Sequence, residues 1–263
     1  MNPKHEHASF REKTLLSMAG FDPSGGAGVL ADCRVFAYYG FRAAGVITAM
    51  TVQGPQSVKS VRGVERELIH DSMQVLFEQV KISAVKIGML WNREIVEEVS
   101  RSLDLVKPKI VVLDPVLAAS DGTPLITDEG VEAMVELLFP RATHITPNVP
   151  EAQQLTGVFI HDDDSLEEAG ALLLAKGPGA VIIKGGHREG KPIDWLITGE
   201  KSQPIYGERI PASDVHGTGC MFSSALAANL VLLEGNKKAV QQAKAYVTEQ
   251  IHQEHSLHGK GNH

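Results

Sequence analysis

Cysteine is scarce. Cys33 and Cys220 are the only two in 263 residues and form no C-x-x-C pair, which argues against a disulfide framework or a thiolate zinc site and fits a reducing cytoplasm. Positive charge is also in short supply: 25 Lys and Arg against 32 Asp and Glu leave a net charge of -7. That balance argues against a surface devoted to nucleic-acid phosphates or anionic lipid, while leaving room for a local basic pocket. Long apolar runs are missing too. No stretch approaches the roughly 18 uninterrupted apolar residues of a membrane span, and the His- and Lys-rich start, Met1 to Lys13, has no apolar signal core. The expectation is a cytoplasmic chain with no membrane and no nucleic-acid partner.

What is present is the composition of a globular protein, 43% hydrophobic and 22% charged. A chain of this length buries roughly three quarters of its unfolded surface and needs no metal or disulfide for stability. No linker, repeat or low-complexity block divides it. The reading is therefore one domain over residues 1–263, with 1–13 and 253–263 expected to fray.

Short β-branched runs alternate with longer amphipathic ones. The runs predict strands at 15–19, 45–51, 84–88, 110–114, 144–146 and 180–184. Helices are predicted near 28–39, 65–80, 93–105, 128–139, 149–156, 165–176, 218–233 and 237–252. Ile110-Val111-Val112-Leu113 and Val181-Ile182-Ile183 are apolar on both faces, as parallel strands covered on both sides must be. Trp195–Thr198 and Gln203–Tyr206, around Gly199-Glu200-Lys201, read instead as an antiparallel edge hairpin. The fold class expected is α/β: a three-layer α/β/α sandwich with a mostly parallel central sheet. Ligands in such sheets gather beyond the carboxyl ends of the strands.

Asp214-Val215-His216-Gly217-Thr218-Gly219-Cys220 runs into the apolar helix Met221–Ala228. Backbone N–H groups of a glycine turn, with the helix dipole behind them, make a site for a phosphate or a developing anion. Close helix-sheet packing alone would also select these glycines. Cys220 falls in the first helical turn, where the dipole favours thiolate; a small buried apolar role is equally open to it. Pro150 and Glu151 suit a helix start, and Asn148 with Glu151 could present oxygens to water-bound Mg²⁺. Lys184 ends a strand before Gly185-Gly186, either to meet nucleotide phosphates or simply as a strand's charged end.

Two motifs are decoys. Gly185–Lys191 has P-loop spacing, but Pro192 stands where a Mg²⁺-binding Ser or Thr belongs and the next segment reads as strand. Asp22–Gly28 occupies the place of a dinucleotide fingerprint with the wrong spacing, which disfavours a nicotinamide oxidoreductase. The histidines of the tail, His252 to His263, lack a fixed frame of partners for zinc.

Taken in order, Ala19-Gly20-x-Asp22-Pro23-Ser24-Gly25-Gly26-Ala27-Gly28-x-x-Ala31-Asp32, Lys86-x-Gly88-Met89-Leu90, Asp114-Pro115-Val116, Thr146-Pro147-Asn148-x-Pro150-Glu151-Ala152, Lys184-Gly185-Gly186-His187 and His216-Gly217-Thr218-Gly219-Cys220 resemble the hydroxymethylpyrimidine/phosphomethylpyrimidine kinases of thiamin biosynthesis. These are members of the ribokinase-like superfamily. The resemblance implies successive ATP- and Mg²⁺-dependent phosphorylation of 4-amino-5-hydroxymethyl-2-methylpyrimidine and of its monophosphate, in a homodimer. It implies a pyrimidine pocket of Gly20, Asp32, Gln53, Met89 and Val116, and nucleotide contacts from Asp114, Asn148 and Lys184. Glu151 would hold the metal through water, Gly217, Thr218 and Gly219 would form the anion hole, and Cys220 would lie beside the reacting oxygen. The segment after Gln53 is about two residues shorter than the family's usual one, at a place that borders the substrate. Pyridoxal kinase, and a non-catalytic pyrimidine- or nucleotide-binding protein, are the competing readings.

Overall fold

The computed structural model describes residues 13–54, 57–185, 193–207 and 217–258. Nine strands form one sheet: β1 (Thr14–Phe21), β2 (Arg42–Gln53), β3 (Val58–Gly63), β4 (Ile82–Ile87), β5 (Val111–Leu113), β6 (His144–Ile145), β7 (Ala180–Ile183), β8 (Ile193–Thr198) and β9 (Ser202–Tyr206). Their order is β3-β2-β1-β4-β5-β6-β7-β8-β9. The six strands from β2 to β7 in that order are parallel, and β3 at one edge and the β8-β9 hairpin at the other are antiparallel. The edge hairpin and the parallel centre are as the periodicity predicts. Strand β3 was not expected, since Val58-Lys59-Ser60-Val61-Arg62-Gly63 has only two apolar residues and both are merely half buried.

The helices are α1 (Gly28–Tyr38), α2 (Arg66–Gln79), α3 (Arg93–Val106), α4 (Asp128–Ala133), α5 (Val149–Thr156), α6 (Asp163–Leu174), α7 (Thr218–Leu232) and α8 (Asn236–His258). Strand alternation sorts the core into two layers. Val85 and Ile87, Val111 and Leu113, and Val181 and Ile183 face α2 to α6, while Ala84, Val112, Ala180 and Ile182 face α1, α7 and α8. Helix α7 is buried continuously from Met221 to Asn229, which explains its apolar sequence on every side.

Besides shifts of two or three residues in strands such as β2 and in α6, two helix ends differ from expectation. The helix expected over 128–139 ends at Ala133, widens into a π turn over Met134–Leu138 and tightens to a 3₁₀ turn at Phe139–Arg141, where Pro140 has no N–H to give an α-helical ladder. At the other end, α8 continues past His252 through His258, so residues 253–258, expected to fray, are helical. The Gln253 side chain donates to Glu249 Oε1 at 3.1 Å, one turn back.

Candidate active site

The order of the strands fixes where a ligand can enter. From β1 the chain crosses to β2 on one side and later returns to lay β4 on the other. A reversal of this kind opens a crevice at the carboxyl ends of the two adjacent strands. Gly20, near the end of β1, and Met89, just past β4, meet there: a Cβ on Gly20 would lie 2.8 Å from Met89 Sδ. Met89 packs with Ala49 and Leu125, and Val116 lies against the same small cluster. Gln53 ends β2, half buried, opposite Val58. Gly20, Met89 and Val116 are thus brought together, with Gln53 on the adjoining hairpin.

Asp32 has a network of its own. It is completely buried between α1 and the sheet, where its carboxylate accepts from Lys86 Nζ at 2.9 and 3.0 Å, Ser17 Oγ at 2.5 Å and Ser224 Oγ at 2.7 Å. The Lys86 side chain is equally inaccessible. Burial alone would lower the Lys86 ammonium, but the Asp32 carboxylate more than offsets it and holds the lysine charged. The sequence did carry a signal for this network: Ser17 and Lys86 interrupt apolar strands, and Ser223-Ser224 interrupts an apolar helix. Charged groups inside such runs require partners.

The loop from Asp22 to Ala27 is organised from within. Asp22, itself buried, accepts from the N–H groups of Ser24 and Ala27 at 2.8 and 2.9 Å and from the Ser24 hydroxyl at 2.7 Å. The loop then leans on the start of α7. Gly217 has φ +85°, and a Cβ there would collide with Gly26 O, so only glycine lets the two turns touch. The first intrahelical bond of α7 runs from Met221 N–H to Gly217 O at 3.0 Å; the N–H groups of Thr218, Gly219 and Cys220 precede it and form the positive mouth of the helix.

Lys184, Asp114 and Gly219 converge at that mouth. Lys184 Nζ lies 2.8 Å from Asp114 Oδ1, and a Cβ on Gly219 would sit 3.3 Å from Lys184 Nζ. Asp114 also accepts from Thr146 at 2.9 Å and Ser223 at 3.2 Å. Burial would raise this carboxyl, yet Lys184 and Lys86 hold it below the usual range. Burial likewise opposes the charge on Lys184, and Asp114 and Glu151 keep it raised. The site thus carries a fixed, already paired cation.

Asn148 and Glu151 form a reciprocal capping box on α5: Asn148 Oδ1 accepts from Glu151 N–H at 2.8 Å and Glu151 Oε2 accepts from Asn148 N–H at 2.7 Å. They stand beside Lys184, whose own N–H donates to Pro147 O at 2.9 Å. Burial pushes the Glu151 carboxyl up to about 7, against the pull of Lys184. For Cys220 the sequence expectation was a helix dipole favouring thiolate. Instead burial pushes the thiol up, outweighing Lys86, with Asp32 and Asp114 pushing the same way. The thiol is the resting form at neutral pH. Residues 186–192 and 208–216, including His187 and Asp214–His216 of the quoted motifs, lie outside the described residues.

A family model described as phosphomethylpyrimidine kinase matches residues 22–263. The hydroxymethylpyrimidine/phosphomethylpyrimidine kinase of Aquifex aeolicus is 39% identical, over 94% of this chain and 96% of its own. The thiamine biosynthesis bifunctional protein ThiED of Geobacter sulfurreducens is 35% identical over 98% of this chain, which spans 54% of that longer protein. Among solved structures, phosphomethylpyrimidine kinase from Clostridium difficile 630 superposes with a TM-score of 0.81 at 36% identity, covering 91% of this chain and 99% of its own. An ADP complex of Bacillus subtilis pyridoxal kinase gives 0.83 at 31%, covering 90% and 91%. Sequence, topology and the crevice at the β1–β4 reversal all lead to one assignment: this chain belongs to the phosphomethylpyrimidine kinase family.

Proposed function

We propose that the protein transfers the terminal phosphoryl group of ATP to the hydroxymethyl oxygen of 4-amino-5-hydroxymethyl-2-methylpyrimidine, and then phosphorylates the monophosphate to the diphosphate, as a step of thiamin biosynthesis. The observation that carries this reading is the meeting of Lys184, Asp114 and the first turn of α7 beside the crevice of Gly20 and Met89. Phosphoryl transfer asks a protein chiefly for in-line positioning and neutralisation of charge on the migrating group. Lys184 and the N–H groups of Gly217–Cys220 supply the charge. Gly20, Met89 and Val116 shape a small apolar slot for the ring, and the Gln53 amide offers one donor and one acceptor to an aminopyrimidine edge. In the reaction the acceptor oxygen bonds to the terminal phosphorus, the bridging bond breaks, ADP leaves with the bonding electrons, and the hydroxyl proton is released to solvent through the phosphoryl oxygens. A Cys220 thiol, protonated and touched by the Gly28 N–H, serves as a hydrogen-bonding neighbour of the acceptor oxygen.

At the edge of the sheet, β9 and α8 enclose a recess of about 660 Å³ lined by residues that include Tyr206, Lys244 and Thr248. Register places it level with the carboxyl end of β7, through Ile183–Trp195 and Trp195–Pro204. Asp194 ties the two regions, accepting from Gly185 N–H at 3.0 Å and Lys244 Nζ at 2.5 Å. We assign the nucleoside end of ATP to this recess. Among the described residues no group of three His, Cys, Asp or Glu side chains is placed to ligate a metal directly. Mg²⁺ would be held here chiefly by the nucleotide and water, with Glu151 and Asn148 as outer partners, and would supply neutralisation of phosphate charge.

A homodimer and a cytoplasmic location belong to the same proposal, supported by the family resemblance and by cysteine usage. Among the described residues no helix is long and apolar enough to cross a membrane. The likeness to the pyridoxal kinase favours one second reading, phosphorylation of a pyridoxal hydroxymethyl group. ADP release measured separately with hydroxymethylpyrimidine, its monophosphate and pyridoxal separates the two. Turnover with both pyrimidines is expected; activity on pyridoxal alone would overturn the assignment, and silence with all three would favour a binding protein.

A further inference from the structure

Asp121 lies in the connection between β5 and α4, five residues beyond Val116. Its two carboxylate oxygens are used on different parts of the chain: Oδ1 accepts from Thr123 N–H at 2.9 Å, and Oδ2 accepts from Val58 N–H at 3.0 Å. The first bond is a local turn, as Asp commonly makes. The second is not local, because Val58 begins β3 and pairs with Gln53 across the hairpin. The connection holding Asp121 is itself braced, with Leu125 N–H donating to Leu117 O and Ala119 N–H to Thr123 O, both at 2.9 Å. Below the carboxylate, Val58 and Val116 pack against the cluster that contains Met89. One side chain therefore joins the two walls that stand over that methionine.

We propose that Asp121 is a positioning residue for the acceptor: by bridging Val58 and Thr123 it holds the Gln53 hairpin against the Val116 connection and so sets the affinity of the site for its ring alcohol, without touching the nucleotide. The inference rests on the kinase reading above and deepens it. Donation from the Thr123 and Val58 N–H groups keeps the carboxyl below its ordinary range, so the clasp is ionised and intact at neutral pH.

The test compares Asp121→Ala and Asp121→Asn with the unsubstituted protein in steady-state kinetics, together with hydrogen exchange at Val58. Asp121→Ala is expected to raise KM for hydroxymethylpyrimidine by about fivefold or more, with KM for ATP and kcat within about twofold. Asp121→Asn, which keeps one acceptor oxygen, should fall between, and exchange of the Val58 amide should quicken in the order Asp, Asn, Ala. An unchanged pyrimidine KM, or an equal rise for ATP, overturns the proposal. If the unsubstituted protein turns over pyridoxal instead, the comparison is made with pyridoxal. Inactivity toward every acceptor overturns the kinase reading alone, and exchange at Val58 then decides the clasp.

Discussion

Cys220 shows how much a single side chain's chemistry depends on its surroundings. Its place in the first turn of α7 suggests an activated thiolate, but burial prevails over Lys86 and the Gly28 N–H, and the proton stays on sulfur. A protonated thiol is a poor base and a serviceable hydrogen-bonding neighbour, and a loose phosphoryl-transfer transition state demands little more. Cys220→Ala is therefore expected to lower kcat by roughly 100-fold or more, the scale on which loss of a group aimed at developing charge is felt. Affinity for a non-hydrolysable ATP analogue should stay within about twofold. Calorimetric titration beside initial-rate assays checks both; near-normal turnover removes Cys220 from the mechanism.

At the scale of elements, α1 and α7 are joined side by side at matching intervals. Gly26 touches Gly217, the Gly28 N–H meets the Cys220 thiol, and Asp32 accepts from Ser224. Residues 28 and 32, and 220 and 224, are each one turn apart and so share a face of their helix. The pairing fixes how α7 presents its first turn. Ser224→Ala removes one hydrogen bond and leaves Asp32 with Ser17 and Lys86, so a loss of about 1–2 kcal/mol is expected. Lys86→Met leaves a buried carboxylate without its counter-charge and should cost about 3–5 kcal/mol. Urea unfolding ranks the two; equal losses would mean that the Asp32–Lys86 pair contributes little.

The same elements show what the chain makes legible. The parallel core strands and the α5 cap could be read because apolar runs and Asn148-x-Pro150-Glu151 state their structure locally. The edge strand β3 could not, since half-exposed Val58 and Val61 among Lys59 and Arg62 leave no alternation to detect. The network around Asp32 is less legible: polar breaks at Ser17, Lys86 and Ser224 mark it in the sequence, but the partners lie far apart along the chain and only folding pairs them. Asp121 escaped notice for the same reason: its telling bond reaches back to Val58.

For the molecule as a whole, Glu151 couples stability to pH. Its carboxyl, pushed up to about 7 from an ordinary 4.5, keeps a proton in the folded state that the unfolded chain has already released. Between those values the unfolded form binds fewer protons, so this group's contribution falls as pH rises and levels off above about 7. Glu151→Gln preserves the capping box and removes the titration. The stability of the unsubstituted protein relative to this variant is expected to decline between about pH 5 and pH 8, by up to about 3 kcal/mol, as read from urea midpoints. Parallel pH profiles for the two proteins would show that Glu151 is not so perturbed.

The reversal of strand order between β1 and β4 also divides labour along the chain. In the proposed reading nearly everything that selects the alcohol, from Gly20 through Gln53 to Met89, precedes β5, whereas the groups that handle the phosphates come from Asp114 onward. Val116 and Asp121 are the exceptions, reaching back across the seam. Acceptor preference could thus drift within a family by changes upstream of β5 while the donor half stayed as it was, and an exchange of upstream segments between a pyrimidine and a pyridoxal enzyme would have to carry that one downstream connection with it.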